Sequence, residues 1–260
     1  MGKVKDYYNN FDNRLLKDFI SNNPRVIAAL EFVRDYFGPN PPKSILDIGC
    51  GIGWSSYEFS RLYKNSTVKG IDLSDRLITV AKQLFTAPNL SFSEKDLTDS
   101  GMIANDQYDA VVMIDVFEHI PAESRSGFYL DLKKVLSKEF SILLTCPTKK
   151  HQEFLRSHNP QGLQPVDEDI DAEVLQRFAS SIGGELVFYA HRSIWRTNDY
   201  LHAVISNKIP YQEISVSHNK MTLMNQSEKK ALLVEKGISL DGLSEFFNQS
   251  FFQRALNKLK

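Results

Sequence analysis

The chain has 260 residues, enough for one sizeable core with room for a cap or a terminal extension. Lys and Arg number 31 against 32 Asp and Glu, interspersed, and a formal net charge of −1 gives no electrostatic footing for nucleic acid or an anionic membrane. No run of 18 apolar residues occurs and the first residues do not read as a secretory leader. Cys50 and Cys146 lack metal-ligand spacing, so the expectation is a cytoplasmic protein without a metal centre.

Residues 1–40 read as helical. Asn23 suits an N-cap and Pro24 the first helical position, where a missing N–H costs nothing. Val26, Ala29, Leu30, Val33 and Phe37 then form one apolar stripe, which Gly38 and the prolines at 39, 41 and 42 bring to an end. Upstream, Tyr7, Tyr8 and Phe11 stand in a polar segment. They read either as anchors for a terminal helix or as a lid over a ligand, and the residues leave both open.

Residues 45–56, ILDIGCGIGWSS, form a short buried strand, a turn with glycines at 49, 51 and 53, and the start of a helix. Such a turn lets a ligand lie against backbone N–H groups at a helix N-terminus. The strict dinucleotide fingerprint G-x-G-x-x-G fails in both registers, because Trp54 or Ser56 falls where its last glycine belongs. The spacing is D-x-G-x-G-x-G, beginning at Asp47.

Strand and helix alternate from there. Residues 68–72 read as a second strand ending at Asp72, where an acidic side chain can accept from two ribose hydroxyls. Asp72 carries no core packing in this reading, so its loss is expected to spare the fold. Ser74 caps a helix bearing Leu77, Ala81 and Leu84; residues 90–93 alternate as a third strand that ends at Glu94-Lys95-Asp96. Residues 108–114, YDAVVMI, read as one apolar run apart from Asp109, as expected for a central parallel strand covered on both faces. A helix is expected over 121–138, with Phe128, Leu132, Val135 and Leu136 inward, then a fifth strand over 140–146. This order argues for a doubly wound α/β sheet with its ligand crevice at the carboxyl ends of the strands.

Residues 147–166, PTKKHQEFLRSHNPQGLQPV, read as a long polar connection of the kind that builds binding sites. A helix over 168–182 carries Ile170, Val174, Leu175, Phe178 and Ile182 on one face, and residues 185–191 and 200–206 are β-rich. Beyond them, 227–236 reads as a helix. A final helix presents Leu243, Phe246, Phe247, Phe251, Phe252, Ala255, Leu256 and Leu259 as a wide apolar face. That face needs cover from the main domain or from another copy, so a homo-oligomer through the C-terminal helices is allowed. Few basic residues border it, which disfavours a membrane surface.

LDIGCGIG, GIDLS, KDLTD and DVFEHIP follow one another at the strand ends, and together they resemble the class I S-adenosylmethionine-dependent methyltransferase family over residues 43–207. The resemblance implies a Rossmann-like, doubly wound seven-stranded sheet with an antiparallel last strand. An N-terminal helical lid (residues 1–42) and a C-terminal helical extension (208–260) would flank it. It implies S-adenosyl-L-methionine as cofactor, with Gly49, Gly51 and Gly53 lining the amino-acid moiety beside Asp47, Cys50 and Trp54. Asp72 and Leu73 would meet the ribose, Asp96 and Leu97 the adenine, and Asp115 and Val116 the region of the sulfonium. Tyr8 of the lid would add a cation–π partner for that sulfonium.

The expected activity is methyl transfer to a hydroxyl oxygen of a small molecule or sugar. N- or C-methylation of a small metabolite, or cofactor binding without turnover, are the alternatives; a nicotinamide oxidoreductase is argued against by the failed fingerprint. Such transfer needs no covalent nucleophile, but a hydroxyl must lose its proton. His119, His151 and His158 are the candidate bases, and Arg156, His158 and Asn159 could read a polar acceptor.

Overall fold

The computed structural model describes residues 11–96, 107–209 and 224–238. Its centre is a seven-stranded sheet in the order β3-β2-β1-β4-β5-β7-β6. The strands are β1 (Ser44–Ile48), β2 (Thr67–Asp72), β3 (Leu90–Glu94), β4 (Tyr108–Ile114), β5 (Leu136–Pro147), β6 (Glu185–Arg192) and β7 (Tyr200–Ser206). β7 runs antiparallel to both β5 and β6, while β1 to β5 pair in parallel. The order reverses between β1 and β4, which opens a crevice at their carboxyl ends.

Period-two alternation buries the central strands on both faces, while β6 at one edge stays largely exposed. Leu46, Val111, Met113, Ile142 and Leu144 pack beneath α5 (Arg125–Val135) and α7 (Ala172–Ile182), whose Phe128, Leu132, Leu175 and Phe178 complete one core. Ile45, Val112, Leu143 and Val204 face the other way, against α1 (Asp12–Ser21), α2 (Pro24–Phe37), α3 (Trp54–Leu62) and α4 (Asp75–Leu84). α8 (Gln226–Glu235) joins this second layer through Leu232 and Leu233.

Local chemistry sets the helix ends. Asn23 accepts from the amide of Arg25 with Pro24 following, Ser74 accepts from Leu77 and Asp171 from Val174. α7 therefore starts at Ala172 and not at 168. Asn225 and Glu228 form a reciprocal capping box at the start of α8.

Two expectations are corrected. The helix expected over 121–138 is a short 3-10 turn, Ala122–Ser124, and then α5, which ends at Val135. Leu136 instead pairs with Tyr108, so the sheet ladder extends β5 at the expense of a last helical turn. Most of the connection over 147–166 is helix: Thr148 accepts from the amide of His151 and starts α6 (Lys149–His158), and a 3-10 turn, Pro160–Gly162, follows. The final helix expected from 243, Tyr7, Tyr8 and Leu97 lie outside the described residues.

Candidate active site

The glycine turn leaves β1 with the amides of Gly49 and Cys50 both donating to Ile71 O, at 2.8 and 3.0 Å, which ties it to the end of β2. Gly49 has φ +69°, and a Cβ there would collide with the side chain of Val116. The backbone is thereby exposed where β1 and β4 diverge. Gly53 has φ +85°, but its missing Cβ makes room for Phe92 and Ala81, 2.7 to 2.9 Å away. It serves helix–sheet packing and does not line the crevice. Asp47 is also absent from the crevice: it is 1% exposed, and one carboxylate oxygen accepts from the hydroxyls of Ser55 and Ser56, both at 2.6 Å. Burial pushes its pKa up to about 6 against the pull of those hydroxyls. Asp47 thus clamps β1 to the first turn of α3.

A cavity of about 390 Å³ lies over the turn. Gly49, Cys50, Gly51 and Trp54 form its floor, and Asp72, Leu73, Lys95 and Asp96 one end. Asp72 is fixed by two amides, Gly51 N–H to Oδ2 and Ser74 N–H to Oδ1, each at 2.9 Å. Burial raises its pKa, and the amides of Ser74, Gly51 and Leu73 work against that rise. The carboxylate spans the gap between turn and helix and faces the cavity.

The other end carries Asp115, Val116, His119 and Gln164 from the post-β4 and post-α6 segments, with Phe11, Leu15, Asp18, Arg25 and Val26 above. Asp115 takes a left-handed φ of +54°, and its carboxylate lies 2.5 Å from Nη1 of Arg25. Arg25 also approaches Asp18 at 3.6 Å. Burial opposes the guanidinium charge, but Asp115, Tyr200 and Asp18 outweigh it and raise the Arg25 pKa. Burial raises the Asp115 carboxyl despite Arg25 and His119.

His119 sits on the 3-10 turn Phe117–His119. Its Nδ1 is 2.6 Å from Val166 O and 3.3 Å from Asp167 Oδ1, while Nε2 is 3.7 Å from Glu118 Oε1. A carbonyl only accepts, so Nδ1 carries a proton. Burial alone would lower the imidazole pKa; Glu118, Asp167 and the Val166 carbonyl push it up to about 9. The Glu118 carboxyl, also buried, rises to about 8. The pair thus favours the protonated imidazole, whose Nδ1–H donates to Val166 O.

The structure thus gathers Gly49, Cys50, Gly51, Trp54, Asp72, Leu73, Asp96, Asp115, Val116 and His119 around one cavity. It leaves out Asp47, Gly53, His151 and His158. His151 lies half-buried on α6, its ring 6.3 Å from that of Tyr200, and burial lowers its pKa. His158 is exposed and stacks on Phe154 at 4.6 Å. Arg156 pairs with Asp169 outside the cavity. Neither histidine was brought near the cavity because the segment coiled into a helix. Sequence reasoning missed Arg25, Asp18, Leu15 and Lys95, and reached Gln164 only as part of the connection over 147–166. Arg25 had no signal, since a basic residue beside an N-cap reads as a solvated first turn.

A family model described as "Methyltransferase domain" matches residues 45–139. The matched stretch runs from β1 into β5 and includes the glycine turn, Asp72 and Asp115. The domain's neighbours among solved structures include magnesium protoporphyrin IX methyltransferase from Synechocystis with bound SAH. That structure has a TM-score of 0.63 and 20% identity, over 80% of this chain and 99% of that one. A SAM-dependent methyltransferase from Anabaena variabilis gives 0.62 and 20%, over 79% and 95%. Among curated relatives, the carboxy-S-adenosyl-L-methionine synthase of Alteromonas mediterranea is 24% identical over 80% of this chain and 77% of its own length. The ubiquinone biosynthesis O-methyltransferase of Hydrogenovibrio crunogenus is 31% identical over 35% of this chain and 38% of its own. The malonyl-[acyl-carrier protein] O-methyltransferase of Halalkalibacterium halodurans is 39% identical over 57 residues, 22% of this chain and 21% of its own. The alignments thus span less than half the length of the last two of these relatives.

Proposed function

We propose that this protein is an S-adenosylmethionine-dependent methyltransferase acting on an oxygen of a small molecule or sugar. The observation that carries the cofactor reading is Asp72: a buried carboxylate, locked by the Gly51 and Ser74 amides, facing the cavity beside the glycine turn. It fits a ribose diol, which needs a charged acceptor at a strand end. Gly49 to Gly51 would hold the amino-acid end by backbone, and Asp96 would accept from the adenine amine. Asp115 offers negative charge close to the transferred group.

When bound, S-adenosylmethionine supplies a methyl group made electrophilic by a positively charged sulfur. The protein's part is to align the acceptor and exclude water. Val26, Ile114, Val116 and Ile120 provide the apolar wall, and Leu15 and Phe11 lie above the turn. Arg25 and charged His119 are donors that orient an acceptor oxygen.

That donor set favours a second reading of the acceptor. A carboxyl or acidic phenol oxygen is already ionised at neutral pH and needs no base, so Arg25 and His119 suit it better than a sugar hydroxyl. The relatives named above as O-methyltransferases support oxygen; ajmaline N-methyltransferase of Rauvolfia serpentina, 27% identical over 54% of this chain, keeps nitrogen in view. Two buried free thiols, Cys50 and Cys146, favour a reducing, cytoplasmic setting.

Calorimetry with S-adenosylhomocysteine and NAD tests the cofactor, and NAD binding without the sulfur nucleoside would overturn the reading. Methyl-labelled cofactor offered to a panel of carboxylic acids, phenols, sugars and amines tests the acceptor. Label appearing only on amines would reject oxygen.

A further inference from the structure

α8 follows the sheet by a long stretch of chain, yet it places an ammonium against Trp54, a residue that lines the cavity. Lys229 is 0% exposed. Its Nζ donates to Phe19 O at 3.0 Å and to the side-chain oxygen of Asn22, so it holds the last turn of α1. A cation at that point also complements the negative end of the α1 dipole. The same Nζ lies 4.2 Å from the Trp54 ring centroid and 4.8 Å from that of Phe19, and the two rings meet edge-on at 5.5 Å. Trp54 opens α3 immediately after the glycine turn and lines the cavity; α1 contributes Leu15 and Asp18 to its upper wall.

We propose that Lys229 is a positioning residue for the cofactor: one ammonium pins the lid helix α1 and the Trp54 indole together, so that both cavity walls keep their binding geometry. The inference rests on the S-adenosylmethionine reading. Burying a lysine is costly unless its charge is used, and the observed contacts use it fully, with two oxygens and two aromatic faces. Among the described residues the charged group that acts on it is Glu58. Glu58 of α3 raises the ammonium's pKa but does not offset burial, which brings it down to about 8; Glu58 is itself engaged by Arg61 at 3.1 Å. As pH rises through about 8 the pin therefore loses its charge, and with it the attraction to the indole face.

The test uses the full chain carrying Trp195→Phe, which removes the other tryptophan, an exposed one. Trp54 emission, followed from pH 6 to 10, is expected to titrate with a midpoint near 8 and to lose that transition in Lys229→Met. Calorimetry with S-adenosylhomocysteine at pH 7 should show binding roughly tenfold weaker in Lys229→Met, as expected for one desolvated cation–π contact. Lys229→Arg should recover part of it. In the Lys229 protein affinity should fall from pH 7 to 9; the pH dependence remaining in Lys229→Met belongs to the Glu118–His119 pair. Unchanged affinity in the Met variant, or Trp54 emission indifferent to pH in the Lys229 protein, overturns the inference. If the Met variant does not fold, the emission titration of the Lys229 protein decides alone. Should the Lys229 protein itself fail to bind S-adenosylhomocysteine, the cofactor reading falls, while the Trp54 titration still reports whether Lys229 grips the indole.

Discussion

Asp72→Asn changes one atom and tests the cofactor site directly. Asp72 Oδ2 and Oδ1 accept from Gly51 and Ser74, each at 2.9 Å. An asparagine keeps one acceptor and turns its NH2 toward the other amide, so one buried N–H loses its partner. That alone should cost the unliganded protein about 1–3 kcal/mol, so the expectation that Asp72 is dispensable for the fold does not follow from its packing. The ribose loses more. Hydrogen bonds to a charged acceptor are worth about 1.5–3 kcal/mol each, and with one weakened and one broken the loss is about 3 kcal/mol, or on the order of 100-fold in dissociation constant. Calorimetry with S-adenosylhomocysteine measures it, and thermal unfolding measures the first term. A ribose-deoxygenated analogue completes a double cycle: it should bind much more weakly than the parent ligand to the Asp72 protein and only slightly more weakly to the Asn variant. An Asn variant within twofold of the Asp72 protein would mean that the ribose is held elsewhere.

Arg25→Met leaves the Asp115 carboxylate buried without its cation, and should lower stability by about 3–5 kcal/mol. The double variant Arg25→Met, Asp115→Asn should regain most of that in urea denaturation; no recovery would show that the loss lies in packing of the guanidinium stem. His119 has a folded pKa raised from 6.5 to about 9. Its contribution is therefore complete below about pH 6.5 and lost as pH rises through 9. His119→Gln should be destabilised by about 3 kcal/mol at pH 6 and little at pH 10, whereas His158→Ala should unfold like the parent at both. A His119→Gln deficit independent of pH would refute the charged state. Asp47 has its folded pKa raised from 3.8 to about 6, so its stabilising contribution is fully present below pH 3.8 and is lost as pH rises through 6. Asp47→Asn should remove that decline, about 3 kcal/mol, and an unaltered stability profile between pH 4 and 7 would place the titration elsewhere.

What could be read in the sequence was periodic or punctuated. Residues 108–114 became β4 with the expected limits because Val111 and Met113 are buried in one core and Ala110 and Val112 in the other, which suits a strand covered twice. Asn23-Pro24 and Ser74 started helices where their hydrogen bonding predicted. α6 was illegible for the converse reason. It buries only Gln152, so it has no apolar stripe; Thr148 at its start and the Phe154 ring, 4.2 Å from the Arg196 guanidinium, hold it instead.

The site divides along the same line. Asp47 and Asp72 are both acidic residues at strand ends beside glycines, and spacing cannot say which faces the ligand. The fold decides it through the serines: Ser55 and Ser56 on the first turn of α3 consume Asp47, whereas Asp72 meets only amides and keeps its open side toward the cavity. Arg25 and Lys229 extend the argument. Each is a polar residue whose burial is compensated by a partner far along the chain, Asp115 in one case and Phe19 O with Asn22 in the other. A compensated charge leaves no trace in local hydropathy, because the sequence around it is what a solvated helix would show. The cavity walls are therefore set by long-range pairings, while its floor is set by the local glycine turn. It follows that relatives sharing the glycine turn can share the cofactor floor and still differ in the Arg25 and His119 end, where the acceptor would be chosen.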